Sequence, residues 1–282
     1  MKTLLLLTSV LALSACAKKD RQPDLVFSGS ENRFSQTEKR AFGGVEAIEN
    51  SFVSIGGKFY SFFDPAATGE MRRRDMETGE TKSVLPNGAR FSYVIEENGE
   101  LINFVTIDGS IYRSRSTDHG LTWVDQRKVV EAQMVQWNPG VVKGLNGHWH
   151  MLIEADQTGL PAQAGVACYY FTSLDTITWV AQGKAINGCG NPSLVATSRG
   201  LLVFHGDLSA GTWFTTVSTF DGSEWVTHRD KFLVSSPGVH VCDPSAIERD
   251  GKIVLSVSVD QNSITLTEAA DTFESFHERL VR

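Results

Sequence analysis

The segment "STDHGLTW" at residues 116–123 places Ser, Thr, Asp, His, Gly and Trp in eight residues of a 282-residue chain. Related stretches recur as "TSLDTITW" at 172–179 and "STFDGSEW" at 218–225, with weaker copies near Asp75 and Asp271. Such polar density is typical of a reaction centre or a cation-binding loop, but its repetition favours a turn of fixed shape. Asp and Ser side chains bond to nearby backbone N–H groups, and glycine supplies a positive φ. We therefore expect Asp118 and His119 to be structural.

A glycine-centred turn between two apolar runs precedes each copy of this segment, as in "SFVSIGGKFYSFF" at 51–63. Apolar and polar residues alternate with period two, which predicts β-strands, and glycine at such a turn predicts a tight hairpin. The turn glycines lie 42, 48, 53 and 51 residues apart: Gly57, Gly99, Gly147, Gly200 and Gly251. Repeats of this length, each unable to bury its own face, predict an all-β, five-bladed β-propeller of four-stranded antiparallel blades over residues 45–282.

The first 16 residues, "MKTLLLLTSVLALSAC", have the form of a secretory signal: Lys2, then an apolar run too short to span a membrane. "LSAC" resembles the bacterial lipobox, which implies a signal peptide at 1–15 and a lipidated Cys16. Ala17 follows, rather than the Asp that resembles an inner-membrane retention signal, so we expect an outer-membrane lipoprotein of the cell envelope. The alternative is a cleaved secretory peptide with a stray cysteine. Residues 16–44 would form the lipidated Cys, a tether and a possible closing strand.

The overall charge of the chain disfavours a nucleic-acid partner. The formal net charge is −7, and the one local basic run is "RRR" at 72–74. Cys168, Cys189 and Cys242 remain once Cys16 is set aside, and we expect all three to be buried thiols. If one disulfide forms, Cys189 and Cys242 are the favoured partners, because they occupy matching places in consecutive repeats. We expect a monomer.

Propeller geometry predicts where a site lies. Residues before the first strand and after the second strand of each blade share one face around the central axis, where ligands bind. Glu154 stands within the apolar strand "HMLIEA", where an ionisable group needs a partner or a function. The catalytic candidates on this face are Glu154, Glu49, Asp207 and Asp243. The substrate-binding candidates are Trp137, Asn138, Asn191, Arg90, His240 and His205. Trp137 beside Asn138 is suited to stack on a sugar ring, and a Trp packed between blades is the alternative.

No metal or cofactor is predicted. His148 and His150 lie on the same side of one strand, but the sequence supplies no third ligand at a useful spacing. A structural calcium in the central channel, near His240 and Asp243, is the alternative. P-loop, dinucleotide-binding and G-x-S-x-G motifs are absent from the sequence.

The segment at 116–123 matches the Asp-box pattern S-x-D-x-G-x-T-W, which is known from sialidases and other propellers. With the "NPG", "NPS" and "DPS" markers at Asn138, Asn191 and Asp243, the five repeats resemble the five-bladed glycoside hydrolases of the arabinanase, xylosidase and fructosidase type. The resemblance implies three axial carboxylates, at the first strands of blades one, two and three. By position they fall on Glu49 or Asn50, near Arg90, and on Trp137 or Asn138, so at most one is a carboxylate.

Two functions follow from this partial match. We expect a carbohydrate-active lipoprotein, a glycoside hydrolase in which one carboxyl protonates the leaving oxygen and another activates water or attacks. The alternative is a non-catalytic glycan- or protein-binding surface lipoprotein with the same fold. A sialidase is a third option, but it would need an arginine trio, which Arg90, Arg113 and Arg115 do not convincingly supply.

Overall fold

A computed structural model describes residues 24–38, 47–65, 69–85, 90–156, 165–260 and 263–282. Cys16, with its predicted lipid and signal peptide, lies outside these residues. Two short strands come first: β1 (Val26–Ser28) and β2 (Ser35–Glu38). The first blade follows, with an inner hairpin that turns at Gly57: β3 (Ile48–Ile55), β4 (Lys58–Asp64), β5 (Met71–Asp75) and β6 (Thr81–Leu85).

The next two blades repeat this order of four antiparallel strands. The second consists of β7 (Arg90–Glu97), β8 (Glu100–Ile107), β9 (Ser110–Ser116) and β10 (Val124–Val130). The third consists of β11 (Val135–Lys143), β12 (Trp149–Asp156), β13 (Val166–Ser173) and β14 (Val180–Asn187).

The last two blades are completed by the N-terminal strands. The fourth contains β15 (Cys189–Thr197), β16 (Gly200–Asp207), β17 (Phe214–Phe220), β18 (Trp225–Thr227) and β19 (Leu233–Ser235). The fifth contains β20 (Val241–Arg249), β21 (Lys252–Val259) and β22 (Ser263–Ala269), and is followed by helix α1 (Phe273–Val281). Strand β1 pairs with β19, and β2 pairs with β22 as the fourth strand of the fifth blade. The five-bladed propeller is thus confirmed, with a six-stranded sheet in the fourth blade.

Helix α1 fastens this closure. Phe276 is fully buried, and its ring centroid lies 5.9 Å from that of Phe34, just before β2. Arg279 forms an ion pair with Glu31, with 3.0 Å between Nε and Oε2. The first described segment, residues 24–38, and the C-terminal helix therefore pack together at blades four and five. No helix among the described residues is long and apolar enough to cross a membrane.

The loop at 116–123 connects β9 and β10, the two outer strands of blade two. Asp118 Oδ1 accepts the N–H groups of Leu121 and Thr122 at 3.0 and 2.9 Å, and Ser116 Oγ accepts that of Gly120 at 2.8 Å. A Cβ on Gly120 would lie 2.4 Å from Phe62 of blade one, so this turn packs closely against its neighbour. The carboxylate oxygens of Asp118 thus accept hydrogen bonds from within their own loop, and the loop stabilises the contact between two blades.

The expectation of a buried thiol is confirmed for Cys242 and wrong for Cys168 and Cys189. Cys168 on β13 and Cys189 on β15 form a disulfide between blades three and four, while Cys242 is a buried free thiol. Cys189 precedes Asn191 by two residues, whereas Cys242 precedes Asp243 by one. Asn191 and Asp243 are equivalent bulge residues, as described below, so the two cysteines are one position out of register. Successive side chains of a strand point to opposite faces, so the favoured pair was wrong.

Candidate functional site

Each inner strand begins with a bulge at the same place. The ladder between the first and second strands of all five blades shifts register there. One residue of each bulge has a positive φ, between 34° and 58°: Glu49, Phe91, Asn138, Asn191 and Asp243. We call these five the ring residues. A left-handed conformation is tolerated by Asn and Asp and costs more for Glu and Phe. Because it recurs in every blade, this conformation is a property of the fold.

The ring residues line one axial cavity together with the residues that follow them: Asn50, Ser92, Tyr93, Pro139, Pro192 and Pro244. The space that water can enter is about 20 Å³. That volume is enough for a water molecule and too small for a sugar ring. A sugar would therefore have to bind over the mouth of the cavity rather than inside it.

Tyr93 lies on the inner strand of blade two and reaches past blade three to the fourth blade. Its hydroxyl accepts the N–H of Leu194 at 3.3 Å. Elsewhere a serine two residues after the ring position makes the corresponding bond to the next blade, as Ser51 does to the N–H of Val94 at 3.1 Å. Blade three has Gly140 there, where a Cβ would lie 2.0 Å from the Pro192 carbonyl oxygen. The hydroxyl of Tyr93 thus replaces the bond that Gly140 cannot make.

Carboxyl and amide groups alternate beside the cavity. The Asn138 side-chain amide donates to Glu154 Oε2 at 2.8 Å, and the backbone N–H of Asn191 donates to the same oxygen at 3.0 Å. The Asn191 side-chain amide donates to Asp243, and Asn138 also bonds to Glu49. The backbone N–H of Glu49 bonds to Asp243 and completes the circuit. We call these five residues the carboxyl–amide network. It links blades one, three, four and five.

The three carboxyls of the network have raised pKa values. Burial raises the pKa of Glu154 from 4.5 to about 7 and that of Asp243 from 3.8 to about 6. Burial, with the nearby charges of Asp243 and Glu154, raises the pKa of Glu49 well above its ordinary value. At neutral pH the network therefore contains both a protonated carboxyl and an ionised one. Acid and base groups can coexist in such a site.

The first blade supplies a further carboxyl close to the network, and the second blade donates a hydrogen bond to it. Asp64, at the end of β4, accepts the backbone N–H of Phe91 at 2.5 Å. Burial raises the pKa of Asp64 to about 8, although the nearby charge of Arg90 lowers it. Arg90 is exposed, and the ring position of blade two belongs to its neighbour Phe91. The sequence placed the blade-two position near Arg90, one residue early.

The structure brings together five of the predicted site residues and places two elsewhere. Glu49, Glu154, Asp243, Asn138 and Asn191 make up the carboxyl–amide network, but Glu154 lies behind the cavity wall. Asp207 and His205 do not line the cavity. Asp207 is fully buried and pairs with Arg229 at 2.6 Å. His205 is fully buried, and its ring nitrogens contact the Gly206 carbonyl and Ser218 Oγ, both at 2.8 Å.

Trp137 and His240 lie beside the network, next to a tryptophan that sequence reasoning missed. Trp137 pairs with Glu154 across β11 and β12 and is half-buried. The same apolar cluster includes Trp213. The Trp213 indole lies so close to Gly190 that a Cβ added to this glycine would be only 2.6 Å from it. The same Cβ would lie 3.0 Å from Glu154 Oε2. His240 Nδ1 accepts the backbone N–H of Trp213 at 3.2 Å. Trp213 therefore helps to shield Glu154 from water.

Within the described ranges, no group of three or more His, Cys, Asp and Glu side chains could hold a metal ion. His150 Nδ1 lies 2.6 Å from the Tyr170 hydroxyl. The axial calcium considered from the sequence remains a prediction.

A simple count would have identified the ring. Each ring residue lies eight or nine positions before the turn glycine of its own hairpin, as Phe91 does before Gly99. The "NPG", "NPS" and "DPS" markers fix this count in three blades, and the count extends it to Glu49 and Phe91.

Comparison with solved structures supports the fold. The chain is similar to an endo-arabinase from Bacteroides thetaiotaomicron (TM-score 0.66, 11% identity, 86% of this chain and 99% of the other). It is also similar to a glycosyl hydrolase from Bacteroides ovatus (TM-score 0.58, 11% identity, 86% and 90%) and to a GH62 hydrolase in complex with xylotriose (TM-score 0.62, 10% identity, 85% and 98%). No protein-family model and no curated protein matches the sequence. At these identities the likeness establishes the propeller alone.

Proposed function

We propose that this chain is a glycoside hydrolase that uses Glu49 and Asp243 at the mouth of the axial cavity. The observation that carries the proposal is a pair of carboxyls, Glu49 and Asp243, that line the same cavity and whose pKa values are both raised by burial. Burial and the nearby charges of Asp243 and Glu154 raise the pKa of Glu49 well above its ordinary value, so we assign it as the acid toward the leaving oxygen. Asp243, with a pKa of about 6, is mostly ionised at neutral pH and acts as base or nucleophile.

The remaining residues of the network position this pair. Asn138 bonds to both Glu49 and Glu154, and Asn191 bonds to both Glu154 and Asp243. Glu154, which the sequence favoured as the acid, is buried behind the two amides and steadies them. Within the described residues, Asn191 Oδ1 is buried without a hydrogen-bond partner. Such an acceptor favours a ligand that donates hydroxyl groups, because an unpaired buried oxygen is costly.

Two further observations favour carbohydrate as the substrate. The similar structures include an arabinase, a hydrolase bound to xylotriose and a mannoside-active family. Trp137 offers a half-buried aromatic face next to the network, and such faces pack against the C–H groups of sugars. We propose oligosaccharides of arabinose, xylose or mannose as the first substrates to test.

The test is hydrolysis of these oligosaccharides by the wild type, Glu49→Gln and Asp243→Asn. Loss of either catalytic carboxyl should lower kcat by at least about 100-fold. Asp250→Asn is the matched control, because Asp250 is an exposed aspartate that also has a positive φ, at the other end of β20. Equal rates for the wild type and both site variants would contradict the proposal.

A non-catalytic glycan-binding protein is the second candidate. The small cavity favours it, as does Phe91 in the blade-two ring position, where the resemblance implies a carboxylate. Binding of an oligosaccharide by wild type, weakened in Trp137→Ala and without turnover at any pH from 4 to 9, would establish this candidate instead.

We further propose that the protein is held in the bacterial envelope by a lipid on Cys16. The support is the sequence of residues 1–16. Labelling with a radioactive fatty acid should mark the wild type and leave Cys16→Ser unlabelled. Equal labelling of the two proteins would exclude this anchor.

A further inference from the structure

The disulfide joins the two strands that meet at Glu154. Cys168 on β13 is the direct cross-strand partner of Glu154 on β12. Paired residues of neighbouring strands project from the same face of a sheet, so the sulfur of Cys168 and the carboxyl of Glu154 both face blade four. Cys189, the other half of the bridge, precedes Asn191 by two residues on the inner strand of blade four.

The same blade interface contains the hydrogen bond that orders the network. The N–H of Asn191 on blade four donates to Glu154 Oε2 on blade three at 3.0 Å. Gly190, between Cys189 and Asn191, lies so close that an added Cβ would stand 3.0 Å from that oxygen. A shift of blade four by even a fraction of this distance would open or crowd the bond. The two blades need a fixed separation at this point.

We propose that the Cys168–Cys189 disulfide is a positioning element that holds Glu154 against Asn191 and thereby aligns Glu49 and Asp243. The alignment of Glu49 and Asp243 for catalysis rests on the proposed function. The positioning of Glu154 rests on the geometry alone. Apolar contacts at this interface, such as Leu152 with Leu194, keep the blades together without the bridge. They do not fix hydrogen-bond geometry, because apolar packing is not directional. Loss of the bridge should therefore loosen the network while the propeller stays folded.

A dithiol reductant provides the reversible form of this change. It transfers two electrons and two protons to the bridge, which becomes two thiols, and the reductant itself becomes a disulfide. Oxidation by a disulfide such as oxidised glutathione reverses both halves. The bridge is buried, since neither cysteine is more than 1% exposed. Reduction should therefore be slow in the folded protein.

The experiment compares wild type with the double variant Cys168→Ala/Cys189→Ala in full-length protein. Asp118→Ala is the control. It destabilises the loop of blade two that packs against blade one, and this loop lies away from blades three and four. The Glu154 carboxyl is followed by carbon-13 NMR and assigned by its absence in Glu154→Gln. In the double variant the Glu154 titration should move down toward 4.5, because burial is the largest cause of the raised pKa, and water reaching the loosened carboxyl outweighs the loss of the Asn191 hydrogen bond. The Asp118→Ala variant should titrate like wild type.

Kinetics supply the second readout. The double variant should lose about tenfold in kcat with little change in KM, and Asp118→Ala should keep both. Reduced wild type should match the double variant and recover on reoxidation. If wild type hydrolyses no glycan, the proposed function fails while the NMR comparison still decides the positioning role. An unchanged Glu154 titration in a folded double variant would overturn the inference.

Discussion

Replacing Glu154 with Gln should make the protein more stable at pH 8, and should stabilise it much less at pH 5. Folding raises the pKa of Glu154 from 4.5 to about 7 because the carboxyl is buried. The unfolded chain therefore releases this proton more easily than the folded one. The contribution of the protonated carboxyl is fully present below pH 4.5 and is lost as the pH rises through 7.

The size of the effect follows from the same pKa change. Each pKa unit corresponds to about 1.4 kcal/mol, so a rise from 4.5 to about 7 makes the ionised carboxyl cost about 3 kcal/mol in the folded protein. Gln has no charge to bury, and its side-chain oxygen can accept both bonds that Glu154 Oε2 accepts now, from Asn138 and Asn191. The gain at pH 8 should therefore approach about 3 kcal/mol, and at pH 5 it should be about a quarter of that, because the unfolded carboxyl is already partly ionised there.

Urea unfolding followed by tryptophan fluorescence at pH 5 and pH 8 measures this difference. The quantity to compare is the free energy of unfolding of Glu154→Gln minus that of wild type at each pH. Asp250→Asn, an exposed carboxylate removed in the same way, should show no such pH dependence. If the stabilisation at pH 8 exceeds that at pH 5 by less than about 1 kcal/mol, burial of Glu154 does not have the electrostatic cost argued here.

Three other changes test separate parts of the structure. Asn138→Ala removes a donor that Glu49 and Glu154 share, so carbon-13 NMR should show both carboxyls titrating at higher pH; unchanged midpoints would mean that the network is not formed. Asp118→Ala should cost about 2 kcal/mol in urea unfolding at pH 7. That loss should shrink as pH falls through 2, because local hydrogen bonds lower the pKa of Asp118 to about 2; a pH-independent loss would argue against this. Arg229→Met leaves fully buried Asp207 without its ion pair, so unfolding in urea should become easier by about 2 kcal/mol, and wild-type stability in this variant would show the pair to be dispensable.

The architecture was predictable because its signals are local and repeated. The hairpin turns require a positive φ, which Gly57, Gly99 and their counterparts adopt. The alternation of apolar and polar residues along a strand can be seen in consecutive residues. The polar loop at 116–123 was also correctly predicted to be a turn, since Asp118 spends its oxygens on neighbouring N–H groups. These features depend on residues a few positions apart in the sequence, where spacing alone carries the geometry.

The site was only partly predictable because it depends on contacts between blades. The position of Glu154 in an apolar strand signalled an unusual carboxyl, and the structure places it in the network. Asp207 was selected by its place at the end of a second strand, but its partner Arg229 lies 22 residues away, and no local sequence pattern predicts that ion pair. The prediction of the disulfide was wrong for a related reason. Matching Cys189 with Cys242 by repeat position ignores which face of the strand each one occupies.

The repeated bulge separates what the fold decides from what this chain decides. The innermost strand of each blade bends at the same place. A ring of five side chains around the axis therefore exists whatever those residues are. The fold therefore accounts for the ring and the backbone strain, and these features say nothing about chemistry. The residues at these positions are specific to this sequence: four are polar and the fifth is Phe91. The polar four are Glu49, Asn138, Asn191 and Asp243. Phe91 is uncharged, whereas burial raises the pKa values of Glu49 and Asp243, so that their ionised forms cost stability in the folded protein. A network of polar side chains whose ionised carboxyls cost stability, although it joins four blades, is the pattern expected of a functional site.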